Sequence, residues 1–292
     1  MKCGIVILNF NDFSTTKKLL DMIQNFDVLN KIVVVDNHSN DNSYQKLLSY
    51  QSEKIEVLQA KENGGYSRGN NIGIRYLIDH TDVDIIGISN SDVEFNENFV
   101  LKIINDFECY KDYTIITGLQ MNLKGEIAIH PFWEEYTTGR WMKKMLFGLW
   151  PFSHISKKGI DGEYIHKKLG LNKNFFQVGA VEGSLFFIRR KEFEELGLFD
   201  EGVFIYCEED ILAKKMKKAG KKTGVDSTVK YIHYGATTTK KVFTSKASQN
   251  HAFNSNVYYF NHYQTRNHFL HALHLLLCYM QKFQHWLLSC IK

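Results

Sequence analysis

The chain has 292 residues, 44% hydrophobic and 23% charged, with a net charge of +4. That length supports one large or two small domains whose core needs no disulfide or metal staple. The mild basic excess argues against a nucleic-acid partner but permits contact with an anionic surface. The five cysteines (Cys3, Cys109, Cys207, Cys278, Cys290) form no C-x-x-C pair, so neither a disulfide framework nor a structural zinc site is indicated and a reducing compartment fits best.

Residues 4–8 are predicted as a buried strand, Ile5-Val6-Ile7-Leu8, followed by Asn9-Phe10-Asn11-Asp12. The run is too short and too early for a signal peptide. Ser14 or Thr15 is placed to cap a helix with Leu19, Leu20 and Ile23 on one face. Lys31 to Asp36 is a second strand ending at Asp36-Asn37. Asn40, Asp41 and Ser43 open a helix carrying Leu47 and Leu48, and Ile55 to Leu58 is a third strand. This alternation predicts a parallel sheet with right-handed crossovers. Asn63-Gly64-Gly65-Tyr66-Ser67-Arg68-Gly69-Asn70-Asn71 comes next. Paired glycines permit a tight turn or close approach to a ligand, and Arg68 offers a fork to phosphate. The plainer reading is a turn that starts a helix with Ile72, Ile74 and Leu77. The spacing is neither a P-loop nor a dinucleotide fingerprint.

Ile85-Ile86-Gly87-Ile88 is a further buried strand, and Asn90-Ser91-Asp92 stands at its end. Oxygen groups at the carboxyl edge of an α/β sheet suit a hard divalent cation that also holds phosphate. A turn capping the next helix is the alternative. Residues 96–108 read as a helix with Phe99, Ile103 and Phe107 in register, and Ile115-Ile116 as a short strand. From 120 to 175 the pattern is irregular: Trp133, Tyr136, Trp141, Phe147 and Trp150 mix with Lys143, Lys144, Lys157 and Lys158. Such a mixture lines a sugar site or packs an irregular core. Gly183-Ser184 leads into the strand Leu185 to Ile188, then Arg189-Arg190 and a short helix to Leu196. Glu208-Glu209-Asp210 opens a helix to Ala219. Three carboxylates there either complement the helix dipole or supply a general base. Thr228 to Ile232 is the last strand, with His233 at its tip before Tyr234-Gly235 and Thr237-Thr238-Thr239.

The tail differs. Phe269, Leu273, Leu276, Met280, Phe283, Leu287 and Ile291 form an amphipathic stripe interrupted by histidines, glutamines and Lys282. Packing on the body, self-association and interfacial membrane contact all fit it. No uninterrupted apolar run reaches the length of about 18 residues that a spanning helix needs.

Taken together and in order, these pieces resemble the inverting GT-A glycosyltransferases of family 2, especially the rhamnosyltransferase-like branch. The ordered set is Ile7 to Asn11, Val34 to Asn37, Asn63 to Tyr66 with Asn70-Asn71, Asn90-Ser91-Asp92, Gly183-Ser184, Phe199-Asp200-Glu201, Tyr206 to Asp210, and Ile232-His233. The resemblance implies a GT-A α/β domain over 1–240, mainly parallel, with a nucleotide-sugar half (1–118), an acceptor half (119–240) and a C-terminal helical extension over 241–292. It places Asn9, Asn11, Asp36, Asn63, Gly64, Gly65, Arg68, Asn70, Asn90 and Ser91 at the donor. Asp92 and His233 fall at the metal, Mg²⁺ or Mn²⁺. Gly183, Ser184 and Tyr206 fall near the acceptor. Glu208-Glu209 stands at the family's Glu-Asp pair, with Glu209 as the base and Asp210 adjacent.

The implied reaction moves a sugar from a UDP-, dTDP- or GDP-linked donor to a saccharide acceptor, lipid-linked by family expectation. The implied location is cytoplasmic, peripheral to the inner face of the plasma membrane. Membrane contact or homo-oligomerisation would run through the C-terminal helix. Two rivals stand beside it. A nucleotidyltransferase would carry a basic glycine loop after the first strand, where Asn9-Phe10-Asn11-Asp12 lies. A non-catalytic sugar-binding protein on a decayed transferase fold is favoured by the amide at Asn90 and opposed by Asp92, Glu209 and His233 together.

Overall fold

The structure is a computed structural model and describes residues 1–149, 161–171, 173–235 and 245–290. Trp150, Lys157, Lys158, Thr237, Thr238, Thr239 and Ile291 lie outside the described residues.

The first half alternates strand and helix: β1 (Cys3–Asn9), α1 (Phe13–Ile23), β2 (Leu29–Asp36), α2 (Ser43–Leu47), β3 (Ile55–Gln59), α3 (Gly65–His80) and β4 (Ile85–Asn90). Runs such as Ile32-Val33-Val34-Val35 are apolar on both faces, as a sheet covered on both sides requires. The strands lie parallel in the order β3-β2-β1-β4. Helix α1 begins one residue before Ser14, with Asp12 in the N-cap position. The hydroxyl of Thr16 instead reaches back to Asn9 Oδ1, at 2.7 Å. Leu47 is buried, whereas Leu48 falls in a single 3-10 turn and faces outward.

The second half contains β5 (Val93–Glu94), α4 (Glu97–Cys109), β6 (Tyr113–Met121), β7 (Phe132–Trp133), α5 (Thr138–Phe147), α6 (Gly162–Leu169), β8 (Phe175–Val178), β9 (Ala180–Val181), β10 (Leu185–Arg189), α7 (Arg190–Glu195), α8 (Glu208–Lys218) and β11 (Lys222–His233). Strand β10 runs antiparallel between β4 and β6, while β11 is parallel to β6 and antiparallel to β5 and β8. The sheet is therefore parallel through its first four strands and mixed beyond them. Both predicted strands here are longer than their apolar runs suggest, because β6 and β11 extend each other.

One core fills the face under α1, α2 and α4, joining Leu19, Leu20, Phe99, Ile103 and Phe107 to Ile5, Ile7 and Val34. Another fills the opposite face, joining Ile74 and Leu77 of α3 and Leu212 and Met216 of α8 to Val6, Val33 and Ile86. A third joins the tail helices α9 (Ser245–Tyr259) and α10 (His268–Cys290) to α5 and α8 through Trp141, Met145, Ile211, Tyr259, Phe260 and Leu277. The tail thus packs on the body, but not through its predicted stripe. Phe269, Leu273, Leu276, Met280, Phe283 and Leu287 are all exposed, and His274, Leu277 and Cys278 are buried instead. Trp141 and Met145 of α5 and Phe260 just after α9 bind His274 and Gln281 on the inward side, beside Leu277 and Cys278.

Gly73 lets α3 lie directly on the sheet. A Cβ there would sit 2.6 Å from Val6 Cγ1 and 3.0 Å from Val35 Cγ2. Gly73→Val is expected to lower unfolding stability by about 1–3 kcal/mol through overpacking. A shifted urea midpoint at unchanged slope is the readout.

Candidate active site

The register of β1 with β2 sets Asn9 beside Asp36, and that of β1 with β4 sets Leu8 beside Asn90. The polar strand tips therefore meet at one edge. Asn9 and Asp36 are fully buried and bound to each other, Nδ2 to Oδ1 at 2.8 Å. Asp36 also accepts the Ser39 backbone N–H at 2.9 Å. Both residues lie behind the cavity wall and brace the loops that form it. The wall itself is Phe10 and Asn37. Asn37 Nδ2 donates to Asn63 Oδ1 at 2.9 Å and to Gly65 O at 3.1 Å, and its own buried Oδ1 has no hydrogen-bond partner among the described residues. Asn11, in left-handed backbone at φ 51°, accepts the Asn40 N–H at 2.9 Å and is not in the wall.

The glycine segment closes against a distant loop. Gly65 has φ +82°, and a Cβ on it would stand 2.0 Å from Phe204 O. The Tyr66 N–H donates to that same carbonyl at 2.7 Å. Asn63 and Gly65 line the cavity; Gly64, Arg68 and Asn70 do not. Arg68 pairs with Glu62 at 2.6 Å and Glu201 at 3.7 Å, and Asn70 Nδ2 donates to Tyr66 O at 3.0 Å inside the first turn of α3.

Asn90, Ser91, Asp92, Ser184 and His233 form the opposite corner. The Asn90 N–H donates to Ser184 O at 2.8 Å, tying β4 to β10. His233 sits between two carboxylates: Nε2 is 3.2 Å from Asp92 and Nδ1 is 3.4 Å from Glu182. Glu182 also accepts from Gln120 Nε2 at 2.8 Å and from the Ser184 hydroxyl. Burial pulls the imidazole pKa down, but the Asp92 and Glu182 hydrogen bonds outweigh it and hold His233 up at about 10. Among the described residues no cluster of three or more His, Cys, Asp or Glu could hold a metal by itself. The Asp92 carboxylate at a cavity edge fits an ion that takes most of its ligands from substrate phosphate and water, and His233 would join it by giving up the proton that Asp92 and Glu182 now hold.

The remaining wall is the start of α8. Tyr206 and Cys207 both adopt positive φ, 73° and 68°. Successive non-glycine residues there cost about 1–3 kcal/mol each and mark a strained turn. It aims Glu208 and Glu209 into the cavity. The Gly183 N–H donates to Glu209 Oε1 at 3.1 Å, and the Tyr66 hydroxyl donates to Gly183 O at 2.6 Å. Burial pushes Glu209 up to about 7, and burial followed by the Glu209 charge raises Glu208 well above the carboxylate range. Asp210 turns away and accepts the Trp133 indole N–H at 2.8 Å.

This cavity encloses about 350 Å³. A second, of about 450 Å³, adjoins it and is walled by Trp133, Tyr136, Trp141, Lys144 and Asp210. Tyr206, Glu182, Glu208 and Glu209 line both. The aromatic segment therefore both packs the third core and faces this second space. Phe10, Asn37, Tyr66, Glu182, Phe204 and Ile205 were not singled out as site residues by the sequence, although all six stand within or beside its motifs.

A family model described as Glycosyl transferase family 2 matches residues 4–197. The low-salt glycan biosynthesis hexosyltransferase Agl10 of Haloferax volcanii is 26% identical over 230 residues, covering 79% of this chain and 66% of that protein. The dTDP-rhamnosyl transferase RfbF of Shigella flexneri is 26% identical over 174 residues, covering 60% of this chain and 49% of that protein. The chain thus spans less than two thirds of the length of either relative. Among solved structures, GalNAc-T7 with UDP, GalNAc and Mn²⁺ superposes with a TM-score of 0.60 at 17% identity, over 89% of this chain and 50% of that one. S. aureus TarS in complex with UDP gives 0.54 at 14% identity, over 94% and 70%. These likenesses establish the GT-A fold.

Gly65→Ala is expected to destabilise the chain by about 1–3 kcal/mol and to displace the 204–207 turn. Peptide mass mapping after thiol labelling reads this directly, since buried Cys207 should label faster than in the parent. Unchanged labelling would uncouple the glycine from the turn.

Proposed function

The chain belongs to glycosyl transferase family 2, and from that premise we propose that it transfers a hexosyl or deoxyhexosyl group, with inversion, from a nucleoside-diphosphate donor to a saccharide hydroxyl. The observation that carries this reading is the position of Glu209, a half-buried carboxylate that lines both adjoining cavities, as Glu208 does, and is held there by the Gly183 N–H. In this reading the first cavity takes the donor, with Asn37, Asn63, Gly65, Asn90 and Ser91 against it. The second takes the acceptor. Trp133, Tyr136 and Trp141 shape its wall from within the core, while Asp210 fixes the Trp133 indole.

Glu209 takes the proton of the acceptor hydroxyl as its oxygen attacks the anomeric carbon. The bond from that carbon to the diphosphate oxygen breaks, the configuration inverts, and nucleoside diphosphate leaves. No covalent sugar–enzyme species is needed. A carboxylate held near 7 is basic enough for this task yet substantially ionised at neutral pH. Glu208, raised well above the carboxylate range by burial and the Glu209 charge, lacks the Gly183 amide contact that orients Glu209. Asp92 and His233 would hold Mg²⁺ or Mn²⁺, which when bound offsets the charge that develops on the leaving diphosphate. Asn9 and Asp36 serve the donor indirectly, through the loops they brace. The glycan-biosynthesis hexosyltransferase among the relatives supports a glycan precursor as acceptor, which we take to be lipid-linked.

UDP-, dTDP- and GDP-sugars, each tested with Mn²⁺, Mg²⁺ or chelator, identify the donor. One nucleoside diphosphate should be released, and chelator should stop its release. Glu209→Gln is expected to lower kcat by about 10²–10⁴-fold with donor binding retained. Transfer at the parental rate in that variant would remove Glu209 from the role. Since only the ionised form accepts a proton, kcat/KM should rise with pH through about 7 and level off above it. A flat profile from pH 5 to 9, measured with saturating metal, would contradict the assignment.

A further inference from the structure

We propose that the outward face of α10 is a docking surface for an anionic lipid bilayer. The inference stands on the tail alone and does not depend on the transfer reaction.

Surface helices normally turn their apolar stripe to the core. Helix α10 is apolar on more than one side. Its inward side buries Leu277 and Cys278 in the third core together with polar contacts: His274, 1% exposed, accepts the Trp141 indole N–H at 3.2 Å and stacks on Phe260 at 4.0 Å. Gln281 Nε2 donates to Met145 O at 2.6 Å. These contacts fix the rotation of the helix. The outward side then presents Phe269, Leu276 and Phe283 at 73%, 54% and 59% exposure, with Leu273, Met280 and Leu287 between them. Tyr279 and Trp286, each 56% exposed, flank that stripe as interfacial aromatics do. So long an apolar face in water marks an interaction site. No helix among the described residues is long and apolar enough to cross a membrane. The chemistry therefore suits a helix lying in the interfacial plane.

Charge selects the occupant. From Ser227 to Lys292 the sequence has seven Lys and Arg and no Asp or Glu. Helix α5, packed beneath α10, adds exposed Lys143. A second copy meeting this face about a twofold axis would bring the same cations together. An anionic bilayer takes both the apolar stripe and the charge. Trp141, bonded to α10, also lines the second cavity, so docking sets that cavity beside the bilayer.

The test is flotation of the full chain with vesicles of phosphatidylcholine alone or mixed with phosphatidylglycerol, alongside sedimentation velocity without lipid. The parent should float with the mixed vesicles and much less with the neutral ones. L276E/F283E should bind about tenfold or more weakly. Its melting temperature and nucleotide-sugar hydrolysis should match the parent, since neither residue touches the cavities. Y279S/W286S provides an uncharged second variant with the same expected direction. A parent that stays in solution with mixed vesicles overturns the proposal. So does a parental dimer that L276E/F283E converts to monomer.

Discussion

One glycine holds the site together. The carbonyl of Gly183 accepts the Tyr66 hydroxyl and its amide donates to Glu209. A Cβ on this residue would lie 2.9 Å from Glu209 Oε1 and 3.1 Å from the Tyr66 oxygen, so the position leaves little room for a side chain. Tyr66 stands in the first turn of α3 and Glu209 in the first turn of α8. The glycine thereby connects the parallel half of the sheet to the mixed half. It also fixes the carboxylate in a buried setting where its proton affinity rises. The neighbouring close approach of Gly65 to Phe204 repeats the same coupling one layer out.

Burial alone does not distinguish the three acidic residues of α8, since all raise their pKa by desolvation. Their partners do. Asp210 is opposed by Lys144 and the Trp133 indole, which favour its charge. Glu209 has a backbone amide and faces both cavities. Glu208 has a carboxyl oxygen without a partner among the described residues and the strongest pressure toward neutrality. Three carboxylates in one helical turn therefore sit in three different environments: Glu208 and Glu209 both reach the two chambers, and of these two it is Glu209 that accepts the Gly183 amide.

Much of this was legible in the sequence. The strands of the parallel half read directly from β-branched runs, and their polar tips gave Asn90, Ser91, Asp92 and His233, which the structure brings to one corner. Local pattern could not tell wall from brace. Asn9 and Asp36 look like ligands at strand ends, yet register across 27 residues pairs them with each other. Glu182 carries no local signal, because its meaning comes from His233 and Gln120 on other strands. The second cavity was equally hidden. Trp133 meets Asp210 across 77 residues and Trp141 meets His274 across 133, within a segment that has no periodicity to announce either contact. Order in the sequence exposed elements; long-range pairing decided roles.

The tail illustrates the same limit in the other direction. Its stripe was clear from spacing, but spacing does not say which side faces inward. The answer lies in what the body offers. Trp141 supplies an indole N–H, Phe260 a ring face and Met145 a backbone carbonyl, and these match His274 and Gln281 better than they match leucine. A buried donor without an acceptor costs about 1–3 kcal/mol, so the unmatched indole alone weighs against the apolar side. The polar contacts, with Leu277 and Cys278 beside them in the third core, thus leave the hydrophobic stripe facing outward. The same indole stands in the wall of the second cavity, so the bond that orients the tail also holds a side chain of the proposed acceptor chamber.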